Sequence, residues 1–300
     1  MRWPPPDDWP NVAWSRQVLS PPHRWHVQEA GSGETLILLH GTGGSCHSFR
    51  DLLPDLARSY HVVAVDLPGQ GFTRLGARHR SGLAHVSHDL ATLVRDQGWS
   101  PRALVGHSAG AAVALALLEH LPGAPMIIGL NPALSNFDGL AGIMFPAMAK
   151  LLALSPFSAA MFATSSGRYD TVRQLIRGTG SDLPREGIEL YRRLVANREH
   201  VDGTLLMMAQ WSLDALRRDL PNVTSDCLFI AGQNDRAVPS STSDAAAARM
   251  QNASVHHLAD LGHLVHEEDP ELIASLIRDA VSAPSALAPT ERAADDAAAR

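Results

Sequence analysis

Short, unbroken apolar runs separated by segments of helical length constrain this chain more than any other feature. The runs are TLILLH (Thr35–His40), HVVAVD (His61–Asp66), RALVGH (Arg102–His107), MIIGL (Met126–Leu130), CLFIA (Cys227–Ala231) and SVHHL (Ser254–Leu258). Each is too short for a buried helix and too uniformly apolar for a strand with one wet face, so each reads as a strand covered on both sides. Between the early runs, Ser45–Arg58, His85–Gln97 and Ala109–His120 have helical length. This alternation predicts an α/β fold with a mostly parallel central sheet flanked by helices. His26–Glu34 (HVQEAGSGE) reads as an edge strand followed by a Gly-Ser-Gly turn.

The rhythm stops between Leu130 and Cys227, where Leu, Ala and Met recur at helical period, as in GIELYRRLVAN and GTLLMMAQWSLDAL. That spacing predicts an inserted helical cap over residues 132–219, seated on the C-terminal edge of the sheet, where open α/β sheets bind ligands. The core then comprises residues 26–131 and 220–282, behind an N-terminal extension of residues 1–25. Residues 283–300 hold mostly Ala, Pro and charge, and read as a disordered tail with little to bury.

Three hundred residues, 45% of them hydrophobic, suffice for such a core. The formal charge of -6 and the scattered arginines give no basic face for a phosphate backbone, so no nucleic-acid partner is expected. Cys46 and Cys227 form neither a disulfide framework nor a zinc pattern, and read as reduced thiols. The opening MRWPPPDDWPNVAWS lacks the charged-then-apolar order of a secretion signal, and no window approaches the ~20 apolar residues of a membrane span. A cytoplasmic protein with no transmembrane segment is the expectation.

Candidate chemistry starts at LVGHSAGAA (Leu104–Ala112), which sets Ser108 between Gly106 and Gly110 at a strand-to-helix turn. Such a turn lifts a serine hydroxyl above the sheet. A serine needs a base, and the base an orienting acid. Asp235, just past the CLFIA strand, and His263, in a Gly-led loop after the last strand, supply them in the order Ser, Asp, His. Thr42, in the Gly-rich LLHGTGGS loop, and Ala109, directly after the serine, offer backbone N–H groups for an oxyanion hole.

His107 is expected to pack beneath the turn, and with Met144, Met148 and Met208 is a candidate substrate contact. Met161 and Met207 add to the cap methionines, which suit core packing or a broad apolar pocket. His266, Glu267 and Glu268 read as a surface helix start. The pairs His85/His88 and His256/His257 lack a third ligand at zinc-like spacing, so neither metal nor cofactor is expected.

LLHGTGGSCHSF, VVAVDLPGQGFT, LVGHSAGA, GQNDRAVP and LGHLVHEEDP occur in the order found in the α/β-hydrolase superfamily, which the chain resembles from about His26 to Val281. Its opening WPPPDDWPNVAWSRQV, with LHGTGGSCHSFRDLLPDLA, GLNPAL and FPAMAKLLALSPF, further resembles the magnesium chelatase accessory proteins of phototrophic bacteria. This resemblance implies work in bacteriochlorophyll synthesis, near magnesium insertion into protoporphyrin IX. It also implies a porphyrin-related small molecule as guest and the chelatase subunits as partners. Two functions follow: a serine hydrolase acting on an ester or thioester, or a non-catalytic tetrapyrrole-binding or chelatase-assisting protein using the capped pocket. Serine at position 108 disfavours the aspartate-nucleophile branches of the superfamily.

Overall fold

The structure, a computed structural model, describes residues 1–135 and 168–283. Its strands are β1 (Ser15–Ser20), β2 (His23–Ala30), β3 (Thr35–Leu39), β4 (His61–Val65), β5 (Pro101–His107), β6 (Met126–Leu130), β7 (Cys227–Gly232) and β8 (Ala253–Leu258). They form one sheet in the order β1-β2-β4-β3-β5-β6-β7-β8. The six apolar runs are β3 to β8, all mutually parallel.

Register explains why both faces are dry. Ile37 lies opposite Val63 and Leu39 opposite Val65. These four face α2 (Leu83–Asp96) and α3 (Ala109–Leu117). Leu36, Leu38, Val62 and Ala64 point the other way, into a core shared with α1 (Leu52–Leu56) and the C-terminal helix Pro270–Ser282. Adjacent residues thus serve opposite cores, as the two-residue period of a strand requires.

The edge of the sheet differs from expectation. His26–Glu34 reads as an edge strand, but β2 lies inside the sheet and pairs antiparallel with both β1 and β4. β1 was hidden because SRQVLS buries only Val18 and Ser20, too sparse an alternation to stand out beside Pro21 and Pro22. Residues assigned to an N-terminal extension therefore contribute a strand. Before it, Trp9 is buried against Phe72, Leu190 and Leu194, linking the extension to the sheet and to the insertion. Ser45–Arg58 is also not one helix: a 3-10 turn at Cys46–Phe49 precedes the short α1.

Between β6 and β7 the described part of the insertion is helical: α4 (Tyr169–Gly178), α5 (Arg185–Val195), α6 (Arg198–Gln210) and α7 (Asp214–Asp219). It meets the loops that leave the C-terminal ends of the strands. Gly203 of α6 touches Gly69 after β4, and Gly180 touches Asn234 after β7 and Gly262 after β8. Membership of residues 136–167 in the cap, and the tail expected over 283–300, lie outside the described residues except for Ala283.

Candidate active site

Ser108 sits between β5 and α3 with φ 52 and ψ -117, a backbone region that side chains other than glycine rarely occupy. Its neighbours hold it there. A Cβ at Gly106 would lie 2.4 Å from the Gly110 carbonyl oxygen, and one at Gly110 would lie 2.1 Å from that of Leu39. Neither position admits a side chain. The Ser108 amide donates to Leu130 O at 2.9 Å, and the Ser108 carbonyl accepts from Ala133 N at 3.1 Å. The turn is thereby fastened to the end of β6, and the serine stays partly exposed.

Asp235 and His263 arrive from the loops after β7 and β8. His263 Nδ1–H donates to Asp235 Oδ2 at 2.7 Å, which leaves Nε2 as the basic ring nitrogen. Three further donors fix the acid: Asn131 Nδ2 to the same oxygen at 2.5 Å, and the Ala237 and Val238 amides to Oδ1 at 2.7 and 2.8 Å. Asn131 immediately follows β6, with φ 46, and also donates to Gly262 O at 3.3 Å. It ties the acid loop to the histidine loop, a job that nothing but its place in GLNPAL hinted at.

His107 joins the histidine loop to the serine turn. It is buried under the turn, as expected, and its Nε2–H donates to the His263 carbonyl at 2.9 Å. The two rings are 4.8 Å apart. Among the described residues no hydrogen bond joins Ser108 Oγ to the His263 ring, so the acid–base pair is formed while the serine–base contact is not.

The Gly-rich loop lies against the same turn: a Cβ on Gly41 would be 3.0 Å from Ser108 Cβ. Its backbone groups are committed inward. Gly41 O accepts from His40 Nδ1 at 2.8 Å and from Gly44 N at 3.0 Å, and Gly43 N donates to Gln70 Oε1 at 2.6 Å. In a planar trans peptide the C=O and the following N–H point in opposite directions, so the inward Gly41 carbonyl turns the Thr42 amide outward. Neither that amide nor the Ala109 amide meets an acceptor among the described residues.

The stretch after His263 departs from expectation. His266 and Glu267 are buried, 1% and 5% exposed, rather than at a surface helix start. Their helix, Val265–Glu268, is sealed by the rest of the chain. Glu267 pairs with Arg50 and accepts from Tyr191 Oη at 2.6 Å, a buried network that the local sequence pattern could not reveal. His266 stacks near His107, ring centroids 4.5 Å apart, and Phe49, at 5.2 Å. Burial holds both rings neutral: His266 is lowered to about 3 and His107 well below the usual histidine range. Glu268 is partly exposed and accepts from Gly262 N at 2.9 Å.

Met208 is half-buried on α6; Met144, Met148 and Met161 lie outside the described residues. His85, His88, His256 and His257 are exposed. His26, Cys46 and Asp66 place their ligand atoms within 4.8 Å of one another. The carboxylate is already occupied: Asp66 accepts from His26 Nδ1 at 2.6 Å and from the Cys46 and Phe72 amides at 2.6 and 2.7 Å. Burial pushes the Cys46 thiol well up, disfavouring the thiolate a metal would need. The trio reads as a structural network.

A model of the alpha/beta hydrolase family matches residues 36–276. The chain is 40% identical over 276 residues to the magnesium-chelatase 30 kDa subunit of Rhodobacter capsulatus, covering 91% of this chain and 96% of the relative. It is 29% identical over 241 residues to a pimeloyl-[acyl-carrier protein] methyl ester esterase of Xanthomonas axonopodis pv. citri (strain 306), covering 79% and 91% respectively. An alpha/beta hydrolase fold protein from Burkholderia ambifaria superposes with a TM-score of 0.75 at 21% identity, covering 89% of this chain and 97% of that one.

Proposed function

Because the chain belongs to the alpha/beta hydrolase family, we propose that it is a serine hydrolase of an ester or thioester, working beside magnesium chelatase in bacteriochlorophyll synthesis. The observation that carries the chemistry is the His263–Asp235 bond at 2.7 Å, in a loop that His107 ties to the turn of a strained, partly exposed Ser108. Ser108 Oγ attacks the acyl carbon while His263 Nε2 takes its proton, forming a tetrahedral oxyanion between the Thr42 and Ala109 amides. Asp235 holds the imidazole in the tautomer that leaves Nε2 free and stabilises the imidazolium. His263 then protonates the leaving group; water attacks the acyl-serine through the same base, releasing the acid. The serine–base contact closes on substrate binding, since catalytic hydrogen bonds are often long in unliganded sites. Turnover of a short p-nitrophenyl ester and labelling by a fluorophosphonate are both expected, and both should vanish in Ser108→Ala; equal labelling of wild type and variant refutes the role.

The likeness to a chelatase subunit favours a second reading, in which the pocket holds a tetrapyrrole and assists metal insertion without hydrolysis. Deleting the gene in a phototroph and restoring it as wild type or Ser108→Ala separates the two. Pigment recovery with the variant selects binding; recovery with wild type alone selects catalysis.

A further inference from the structure

We infer that His200, on helix α6 of the insertion, is the positioning residue of the oxyanion loop, acting together with Gln70; the inference rests on the serine-hydrolase reading. His200 is buried, 2% exposed, and both ring nitrogens meet backbone. Nδ1 accepts from Gly71 N at 3.0 Å and Nε2–H donates to Gly43 O at 3.1 Å. One imidazole thus bridges the loop after β3 and the loop after β4. Only the neutral Nε2–H tautomer fits both partners, and burial lowers its titration to about 3.

The other polar group of Gly43 reaches the same helix by a second route. Gly43 N donates to Gln70 Oε1, and Gln70 Nε2 lies 3.0 Å from the sulfur of Met207, also on α6. Gly43 has φ 80, a conformation a glycine leaves at little cost, so its setting depends on these partners. Thr42 precedes it directly. Freed at Gly43, the Gly41–Thr42 peptide keeps only its anchors on Gly41 O, so the outward direction of the Thr42 N–H is set less firmly. The helix carrying the clamp is itself seated: a Cβ on Gly203 would stand 2.1 Å from Gly69 O. The insertion therefore completes the site as well as covering it, and oxyanion stabilisation is coupled to the docking of α6.

Wild type, His200→Leu, His200→Gln and Ser108→Ala are to be compared with p-nitrophenyl butyrate and with phenylboronic acid, whose serine adduct mimics the tetrahedral oxyanion. His200→Leu should lower kcat by about tenfold to hundredfold, with KM changed less than about threefold and boronate affinity reduced in step with kcat. A glutamine carboxamide offers an acceptor oxygen and an NH2 donor side by side, so His200→Gln should recover most of the loss. If the leucine variant does not fold, Gln70→Leu, which removes the partner of Gly43 N, should show the same paired loss. Unchanged kcat and boronate affinity overturn the inference, as does a loss confined to KM. Ser108-dependent turnover in wild type shows whether the underlying reading holds: if it is present, the His200 outcomes judge the clamp alone; if it is absent, both fall.

Discussion

Acidification is expected to unfold this protein through its buried histidines. His47, His107, His200 and His266 are held by burial far below the 6.5 of a free imidazole, His200 and His266 at about 3. The unfolded chain takes up a proton at each near pH 6.5, whereas the native protein does not, so stability is present above that pH and falls as pH drops toward 3. From pH 7.5 to 5.5 each residue costs a little over 1 kcal/mol, roughly 5 kcal/mol for the four. That is comparable with the ~5–15 kcal/mol stability of a whole domain. Asp66, held low by its histidine partners and backbone donors against the opposing effect of burial, stabilises at neutral pH and adds to the loss only once pH falls through and below the ordinary carboxylate range. Urea unfolding followed by tryptophan fluorescence at the two pH values measures the difference. His266→Phe gives a site-specific check, since neither nitrogen of His266 has a partner among the described residues and its ring already packs on Phe49. It should leave stability at pH 7.5 unchanged or higher and shrink the acid loss by about 1 kcal/mol. A loss below about 2 kcal/mol in wild type would refute the reasoning, because it would mean the rings take up protons while folded.

Gly110→Ala drives a methyl against the Leu39 carbonyl and should destabilise by about 3 kcal/mol or more, whereas Gly178→Ala, with nothing within 4 Å among the described residues, should stay within about 1 kcal/mol of wild type; thermal melts compare them. Asn131→Asp keeps the backbone conformation but replaces a donor with a carboxylate beside Asp235. Its kcat on a p-nitrophenyl ester should fall at least about tenfold, with the acid limb of the pH profile moved upward, because a second negative charge favours the imidazolium of His263.

The parallel strands, the serine turn and the pairing of Asp235 with His263 were legible because their signals are local: unbroken apolar runs, glycines around one serine, and an acid and a histidine at strand ends. What stayed hidden depends on neighbours far along the chain. Glu267 looks like a surface carboxylate until Arg50 and Tyr191 close over it. Asn131 looks like a turn residue until loops after β7 and β8 converge on its amide. His200 lies within an ordinary helical pattern, and only the approach of two distant loops gives its ring a task. β1 escaped because an edge strand needs only one good partner, and its alternation is correspondingly faint.

The seam at Gly69 and Gly203 joins main chain to main chain. Among the described residues the nearest groups across this seam are backbone atoms, so no side chain there can be trimmed or swelled to tune the spacing. A side chain at either glycine, about 130 positions apart, would push the insertion off the loop after β4, so the spacing of the two segments hangs on both positions at once.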